Sequence, residues 1–338
     1  MRQIWITKAG APEVLEVRES ADPQPGQDEV VIAVKAAGIN FADIMARKGI
    51  YPDAPKLPAV VGYEVAGIVA AVGKSMASLK SGDPVVALTR FGGYSEMVKA
   101  PAEQVFAKPK NLSFEAAAAI PVNYLTAYQL LVVMGALRAG ETVLIQNAGG
   151  GVGLAALDIA KKIGAVTIGT ASAGKHEFLR ARGLHHAIDY RTQDWPKAVR
   201  DLTQGRGVEL VIDPIGGKTW KQNYKVLRHT GRLGMFGIST ASTAGRTSKL
   251  GLIKMIMQMP WFSPVGLMNG NKSVFGANLG HLWHEGAKVR GWMQDILQGV
   301  QDGWVRPHVD RAFPFEQAGA AHAYMEERKN IGKVVLVP

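Results

Sequence analysis

The fold is decided by one stretch, residues 142–154: Thr142-Val143-Leu144-Ile145-Gln146-Asn147-Ala148-Gly149-Gly150-Gly151-Val152-Gly153-Leu154. A short apolar run leads into a glycine cluster, and an Ala-rich segment follows at once. This order predicts a strand, a tight turn and a helix. Glycines let such a turn bring the backbone close to a phosphate, and the helix N-terminus offers free N–H groups and the positive end of its dipole. A glycine triplet also occurs in ordinary turns, so the surrounding sequence must decide between the two.

The surrounding sequence predicts a complete βαβ unit. Helix 151–164 carries Leu157, Ile159 and Ile163 at helical spacing, and a second strand-like run begins at residue 165. The alternation then continues with strands at 142–146, 165–170, 187–190, 208–213, 231–237 and 273–276, and with helices at 151–164, 174–182, 195–203 and 217–228. Alternation at this spacing is typical of a doubly wound parallel sheet, the Rossmann α/β architecture.

Both ends of the chain follow another pattern. Residues 1–110 show short alternating runs separated by turn residues, which predict a β-rich, partly closed barrel of antiparallel strands. Ser113 before Phe114 predicts a capped helix start. After about residue 281 the sequence again resembles residues 1–110. It predicts a helix at 289–302 and closing strands at 306–310 and 333–337. We therefore predict that one domain is inserted into another. Residues 1–123 and 281–338 form the outer domain, and residues 124–280 form the nucleotide-binding domain.

Composition narrows the class of protein. The chain has 338 residues, 47% of them hydrophobic, and no cysteine, which excludes a disulfide scaffold and thiolate-bound zinc. It starts on a strand pattern with no signal-peptide pattern, so we expect a cytoplasmic protein. The net charge is +11, but like charges form no run of five or six. This favours a solvated basic surface, with no nucleic-acid partner.

The segment 250–268 is apolar and rich in methionine. Lys254, Gln258, Pro260 and Pro264 interrupt it, so it is too broken to span a membrane. It predicts a buried helix, or a lid over an apolar pocket that is mobile without ligand. The alternative is contact with a membrane surface, because Met-rich helices adapt to varied apolar partners.

Taken together, the plan and the motifs resemble the medium-chain dehydrogenase/reductase superfamily, and within it the zinc-free quinone oxidoreductase family. Residues 40–47, 122–128 and 169–177 most resemble its vesicle amine transport protein branch. The resemblance covers nearly the whole chain and implies a GroES-like barrel for the outer domain and a Rossmann coenzyme domain inside it. It is carried by Gly38-Ile39-Asn40-Phe41-Ala42-Asp43, Gly62-Tyr63-Glu64-Val65-Ala66-Gly67, the 147–153 loop, Ile188-Asp189-Tyr190 and Gly332-Lys333-Val334-Val335-Leu336-Val337-Pro338.

The zinc ligands of that superfamily are missing. Zinc members place Cys where this chain has Asn40 and His where it has Tyr63. His281 and His284 form an i, i+3 pair, possible on one helix face, but no third ligand is evident. We therefore predict no metal.

The choice of cofactor follows from charge. The second predicted strand ends at 169–172 without the acidic residue that holds the ribose hydroxyls of NAD. Lys175 follows, and Tyr190-Arg191 ends the next strand, so a 2′-phosphate would meet a cation and hydroxyl donors. We predict NADPH, and the resemblance implies that Ser172, Lys175 and Tyr190 line its phosphate. The other candidate cofactor residues lie at ends of the predicted strands: Asn147, Gly150, Gly151, Val152, Phe236 and Gly237.

The resemblance places three residues around the nicotinamide ring: Asn40, Tyr51 and Thr126. Asn40 and Thr126 can bond the carboxamide, and Tyr51 can pack against a flat substrate and donate its hydroxyl. Two structural alternatives stay open, in which Asn40 caps the turn after strand 29–37 and Tyr51 packs its own loop. Met45 stands where some quinone reductases carry a second tyrosine.

These features predict an NADPH-dependent, zinc-independent oxidoreductase that transfers hydride to a quinone or an enone-type carbonyl substrate. The alternative is an NADPH-binding protein that associates with a membrane or a partner and has little turnover. The resemblance also implies a homodimer, paired through an edge strand at 273–276.

Overall fold

The computed structural model describes residues 1–74, 79–240, 257 and 259–338. The chain divides into two compact units. The first unit comprises Met1–Leu125 and Leu279–Pro338, and the second comprises Thr126–Asn278.

Strands and helices are numbered in chain order. The strands are β1 (Arg2–Ile6), β2 (Leu15–Glu19), β3 (Glu29–Gly38), β4 (Glu64–Val72), β5 (Pro84–Leu88), β6 (Met97–Pro101), β7 (Val105–Ala107), β8 (Thr142–Ile145), β9 (Val166–Ala171), β10 (His186–Asp189), β11 (Val208–Asp213), β12 (Leu227–Met235), β13 (Ser273–Gly276), β14 (Val309–Pro314) and β15 (Lys333–Val337). The helices are α1 (Phe41–Arg47), α2 (Phe114–Ala118), α3 (Pro121–Tyr128), α4 (Gly151–Ile163), α5 (His176–Arg182), α6 (Trp195–Leu202), α7 (Lys218–Val226), α8 (Pro264–Gly270), α9 (Gly286–Gln301) and α10 (Ala318–Glu326).

The first unit is built on a seven-stranded sheet in the order β14-β15-β3-β4-β5-β7, with β6 also paired to β3. Its pairs are antiparallel except β14 and β15, which run parallel. Alternating residues such as Val30, Ile32 and Val34 enter one apolar core. The predicted β-rich GroES-like architecture is confirmed. The predicted helix start is also confirmed, because the Ser113 hydroxyl accepts a hydrogen bond from the N–H of Ala116.

The second unit contains a parallel six-stranded sheet in the order β10-β9-β8-β11-β12-β13. Its central strands β8, β9 and β11 are mostly buried, as parallel strands covered on both faces are. The strand order reverses direction between β8 and β11, which is where ligands bind in such sheets, at the carboxyl ends of the strands. The predicted Rossmann sheet is confirmed, and β13 lies at its edge as expected.

The predicted closing strand at 306–310 is wrong in its bounds. The strand that forms is β14, which begins at Val309, continues to Pro314 and pairs with β15 in parallel register. Pro307 has no N–H to donate to a sheet ladder, so the segment before Val309 cannot extend the strand. Four further elements, α1, β6, β7 and α10, were not predicted.

The buried helix predicted within 250–268 is also wrong where the structure describes it. Residues 250–256 and 258 lie outside the described part of the chain. Trp261 is 99% exposed, and on α8 Val265 and Met268 are 64% and 73% exposed. Helix α8 has seven residues and buries none of them. It contacts α7 through Phe262, beside its first turn, and through the Tyr224 hydroxyl, which donates to the Gly266 carbonyl at 3.5 Å.

Among the described residues, one helical stretch, Phe114–Val133, is long and apolar enough to cross a bilayer. However, 72% of its most apolar window is buried inside the structure. Core helices of globular proteins pass the same test of length and composition.

Candidate functional site

The glycine loop between β8 and α4 has the backbone shape that an anion requires. Asn147 adopts a φ of +56°, and Gly150 is the N-cap of α4 with no side chain over the first turn. A Cβ at position 150 would lie 2.7 Å from Asn147 Nδ2, and one at 153 would lie 2.5 Å from the Asn147 carbonyl oxygen. The first turn, which begins at Gly151 and Val152, contains no acidic residue, so its N–H groups and dipole favour a bound anion.

A buried polar chain beneath the loop fixes its position. The Asn147 N–H donates to Thr170 Oγ1 at 3.2 Å, and the Thr170 hydroxyl donates to Gln146 Oε1 at 2.7 Å. Gln146 Nε2 in turn donates to Asn223 Oδ1 at 2.8 Å, and Asn223 Nδ2 donates to Asp213 Oδ2 at 2.5 Å. The chain joins the ends of β8, β9 and β11 to α7, so one network holds several candidate segments.

Three residues predicted to surround a 2′-phosphate lie at the carboxyl ends of β9 and β10. Ser172 caps a short 3-10 turn whose last residue is Lys175, and the Lys175 N–H donates to the Ser172 carbonyl at 3.0 Å. The Lys175 stem lies over the glycine loop, since a Cβ on Gly149 would be 2.8 Å from its Cδ. Tyr190 directly follows β10, with the Arg191 guanidinium 5.9 Å from its ring. The structure therefore brings Lys175 to the glycine loop.

The acidic residue that ends β10 is engaged in its own turn. Asp189, the last residue of β10, accepts hydrogen bonds from the Arg191 N–H at 3.0 Å and the Thr192 hydroxyl at 3.1 Å. β9, the strand next to β8, ends without Asp or Glu. No carboxylate at the end of β9 would therefore repel a 2′-phosphate.

Phe236 and Gly237 follow β12 and belong to the same edge. The Phe236 N–H donates to the Asp213 carbonyl at 3.1 Å, and a Cβ on Gly237 would lie 3.0 Å from the Pro214 carbonyl oxygen. The turns after β11 and β12 thus pack backbone against backbone. Burial raises the pKa of Asp213 to about 7, and the N–H of Ile215 also donates to its carboxyl.

In the first unit, Asn40 belongs to a closed polar network. Its Oδ1 accepts from Lys333 Nζ at 2.7 Å, and its Nδ2 donates to Glu64 Oε1 at 3.0 Å. Lys333 and Glu64 form an ion pair, and Glu64 Oε2 accepts from the Val122 N–H at 2.7 Å. Both side chains of that pair are at most 2% exposed. A Cβ on Gly38 would collide with both, so glycine is required there.

Asn40 also begins α1. Its N–H donates to Asp43 Oδ2 at 2.7 Å, and the Gly62 N–H donates to Asp43 Oδ1 at 3.0 Å. Burial raises the pKa of Asp43 to about 7. The capping alternative considered for Asn40 is therefore present in the structure, together with the side-chain bonds to Glu64 and Lys333.

Sequence reasoning missed Asp43, Glu64 and Lys333. Two of them could have been found from the sequence, because each is a charged residue that begins an otherwise apolar strand. Such a residue is stable in a core only when it has a buried partner. Glu64 opens β4 and Lys333 opens β15. Which two strands would meet was not visible in either segment alone.

Tyr51 lines a cleft of about 280 Å³ within the first unit. The Tyr51 and Tyr63 rings meet edge to face at 6.3 Å, and Phe91 lies 5.3 Å from Tyr63. The Tyr63 hydroxyl is buried and has no hydrogen-bond partner in the described part of the chain. Burial raises the pKa of both tyrosines, so both phenols stay protonated. The other lining side chains are mostly aromatic or basic: Asp53, Arg90, Trp283, His281 and His284.

The predicted nicotinamide residues fall in different units. Asn40 and Tyr51 lie in the first unit, whereas Thr126 is the first residue of the second, 8% exposed on α3. Their joint role stays a prediction. His281 and His284 lie in two short 3-10 turns, not on one helix face, and His281 Nε2 contacts Asp53 Oδ2 at 2.9 Å. Within the described ranges, no three His, Cys, Asp or Glu residues are arranged to hold a metal ion.

Two protein-family descriptions match parts of this chain. The chain matches the family described as the alcohol dehydrogenase GroES-like domain over residues 26–110. It matches the family described as zinc-binding dehydrogenase over residues 182–336.

The similarity to individual relatives extends over nearly the whole chain. The synaptic vesicle membrane protein VAT-1 homolog of Homo sapiens is 38% identical over 325 residues, covering 96% of this chain and 82% of that protein. A quinone oxidoreductase of Pseudomonas aeruginosa is 33% identical over 339 residues, covering 100% and 99%. The structure of Escherichia coli quinone oxidoreductase complexed with NADPH has a TM-score of 0.88 at 30% identity and covers both chains fully.

Proposed function

The chain belongs to the medium-chain dehydrogenase/reductase superfamily, in its zinc-free quinone oxidoreductase family, and from this premise we propose an NADPH-dependent reductase of a quinone or an enone-type carbonyl compound. The observation that carries the proposal is the open glycine loop with Lys175 lying over it and no acidic residue at the end of β9.

The residues of the second unit fit NADPH. Gly150 and Gly153 let the loop fold tightly on itself, since a Cβ at either position would collide with Asn147, and such a tight turn presents the N–H groups at the start of α4 to a pyrophosphate. Lys175 supplies a cation beside that loop, while Ser172 and Tyr190 supply hydroxyl groups at neighbouring strand ends. A charge-assisted hydrogen bond from a lysine to a phosphate is about twice as strong as a neutral one. These features favour NADPH over NADH.

When bound, NADPH supplies the hydride, and the chain supplies orientation. In this proposal the Asn40 amide bonds the nicotinamide carboxamide. Lys333 and Glu64 hold that amide in one orientation, and its Nδ2 also donates to the Gly38 carbonyl at 3.5 Å. In this proposal the carboxamide replaces that long bond to Gly38. Preorganised donors and acceptors of this kind need little rearrangement when a ligand arrives.

The cleft of the first unit indicates the class of substrate. Tyr51, Tyr63 and Phe91 form aromatic walls that suit a flat, unsaturated carbonyl compound. Both phenols are protonated donors, and the unpartnered Tyr63 hydroxyl gains a hydrogen bond if a substrate oxygen meets it. A quinone needs no strong acid, because resonance stabilises its reduced oxygens. Tyr63 occupies the position of a zinc ligand in zinc members, so a hydrogen-bond donor stands where they have a metal ligand.

The test is NADPH oxidation measured across a panel of quinones and enones, together with NADPH affinity by calorimetry. We expect turnover, and we expect Tyr51→Phe and Tyr63→Phe each to lower kcat/KM about tenfold. Tyr324→Phe is the matched control, because its hydroxyl bonds Asp310 and does not line the cleft. Tight NADPH binding without turnover on any substrate would favour the alternative, an NADPH-binding protein with little activity. Failure to bind NADPH would refute both.

We also propose that the protein is a cytoplasmic homodimer. β13 pairs only with β12 in the described sheet, so its outer edge offers backbone N–H and C=O groups to a second copy. A monomeric mass by light scattering at micromolar concentration would contradict the dimer. Recovery of the protein outside the cytoplasmic fraction would contradict the location.

A further inference from the structure

The cleft of the first unit contains a cation to which the proposed function gives no role. Arg90 lines this cleft together with Tyr51 and Tyr63, and its side chain is exposed. Within the part of the chain that the structure describes, Arg90 forms no ion pair. A guanidinium stays charged at every physiological pH and presents its N–H donors as a planar fork. These donors are therefore available to a ligand in the cleft.

The backbone on both sides of Arg90 is attached to the segment that carries Tyr63. The Thr89 N–H donates to the Tyr63 carbonyl at 2.8 Å, and the Thr89 hydroxyl donates to the Gly62 carbonyl at 2.8 Å. On the other side, the Phe91 ring packs on the Tyr63 ring at 5.3 Å. The Arg90 side chain therefore leaves the backbone at a fixed point beside the aromatic wall.

The acid that lines the same cleft is already engaged. Asp53 Oδ2 contacts His281 Nε2 at 2.9 Å, and Asp53 forms no ion pair with Arg90. His284 also lines the cleft and carries no negative charge in either of its protonation states. A negative ligand would therefore meet an unpaired cation in this cleft, whereas a positive ligand would meet an acid that already has a partner.

We propose that this cleft selects a compact, flat carbonyl compound that carries a carboxylate, and that Arg90 determines this specificity. The carbonyl part of the inference rests on the proposed function, whereas the carboxylate part rests on Arg90. The aromatic walls bind the flat ring, and the planar fork of Arg90 matches the paired oxygens of a carboxylate. The cleft volume of about 280 Å³ lies at the small end for ligand pockets, which favours one ring with a short side chain over a long-chain quinone.

The experiment compares a pair of benzoquinones that differ only in charge, one with a propionate side chain and one with the corresponding carboxamide. The methylene groups of the side chain separate the charge from the ring, so both rings accept hydride almost equally well. Calorimetry with NADP⁺ bound gives the dissociation constants without hydride transfer, and turnover with NADPH is measured separately. We expect the carboxylate to bind about fivefold more tightly at low salt, as an ion pair near the surface allows. This preference should shrink at about 1 M salt, where charges are screened within about 3 Å.

Variants of the cleft separate the charge from the walls. Arg90→Gln should make the carboxylate and the carboxamide bind equally and leave carboxamide binding unchanged, because the aromatic walls stay. Arg90→Lys should keep part of the preference, since the charge stays and the fork is lost. Asp53→Asn should strengthen carboxylate binding about twofold by removing a like charge, a gain that misfolding does not produce. The matched control is Arg18→Gln, because Arg18 is exposed too but pairs with Glu16 and does not line the cleft.

The outcomes distinguish this inference from the proposed function. Equal binding of the two quinones to wild type, or tighter binding of the carboxamide, would overturn the inference, and reduction of both would leave the proposed function standing. A carboxylate preference that Arg90→Gln abolishes, without reduction of either quinone, would support the inference and count against the proposed function. An unchanged preference in Arg90→Gln would overturn the role of Arg90. Absence of binding by either quinone would overturn the assignment of the cleft to such compounds.

Discussion

The first unit buries a lysine and the second displays three, and the two regions use the same side chain in opposite ways. Lys333 in β15 is 2% exposed and contacts Glu64 and Asn40. On α7, Lys218, Lys221 and Lys225 are exposed and form no ion pair with any residue that the structure describes. A buried ammonium loses its hydration and regains free energy only through its ion pair and hydrogen bonds. An exposed ammonium keeps its hydration. The first lysine therefore depends on its partners in the folded core, whereas the others are free of that constraint.

The largest effect should follow removal of the buried cation. Lys333→Met leaves Glu64 buried and unpaired, so we expect the free energy of unfolding to fall by about 3–5 kcal/mol. Urea denaturation measures the change. Lys333→Met combined with Glu64→Gln should recover most of the loss, because no charge then stays buried alone. A loss below about 1 kcal/mol in the single variant would show that the ion pair is not essential to the core.

Buried acidic side chains extend this comparison of the two units. Burial raises the pKa of Asp213 in the second unit to about 7, and burial does the same for Asp43 in the first unit. In the unfolded chain the pKa of Asp is about 3.9, so between about pH 4 and pH 7 the folded state keeps a proton that the unfolded state loses. The free energy of unfolding should therefore fall as pH rises through this window, by at most about 1.4 kcal/mol per pH unit for each carboxyl.

Denaturation of wild type and Asp213→Asn from about pH 5 to about pH 8 tests this slope. The variant should lose about half of it, since Asp43 remains. Equal slopes in the two proteins would mean that hydrogen bonds from Ile215 and Asn223 keep the Asp213 carboxyl ionised despite its burial.

Lys175, at the glycine loop, should affect binding without affecting folding. A charge-assisted hydrogen bond contributes about 1.5–3 kcal/mol, so Lys175→Ala should weaken NADPH binding about 10- to 150-fold and leave NADH binding unchanged. Tyr190→Phe should cost about 1 kcal/mol, as a neutral hydrogen bond does. Dissociation constants at fixed ionic strength measure both. An unchanged ratio of NADPH to NADH affinity in Lys175→Ala would move the phosphate site to Arg191.

The smallest effect should follow removal of an exposed lysine on α7. Lys218→Met should change the free energy of unfolding by no more than about 0.5 kcal/mol, because the side chain is exposed and has no described ion-pair partner. The same denaturation experiment as for Lys333→Met gives a direct contrast. A loss comparable with that of Lys333→Met would remove the distinction between the two regions.

Much of the architecture was readable from local sequence. Strands β11, β13 and β15 were predicted to the residue, and the turn at Gly149–Gly153 was predicted from its glycines together with the strand and helix patterns on either side of it. The Ser113 cap was also found correctly. Each of these depends on residues within about one helical turn or one strand of each other. The periods of 2.0 and 3.6 residues, capping chemistry and glycine backbone freedom all act over that range.

The wrong predictions concern segments whose structure depends on a partner that lies far away in the sequence. Segment 306–310 has an alternating pattern, but the strand forms at Val309–Pro314 because that is where β15 offers a parallel partner. The 250–268 segment is apolar enough for a core, yet its described part finds too few partners and stays exposed.

The sequence by itself determined the class of fold, the glycine loop and the absence of an acid beside it, because each is a property of neighbouring residues. Only the tertiary structure decided that Lys333 meets Asn40, 293 positions away, and that the α7 lysines stay outside. The physical reason is that burial changes the free energy of a charge far more than sequence context does. Which strands cover a charge depends on the pairing of the whole sheet.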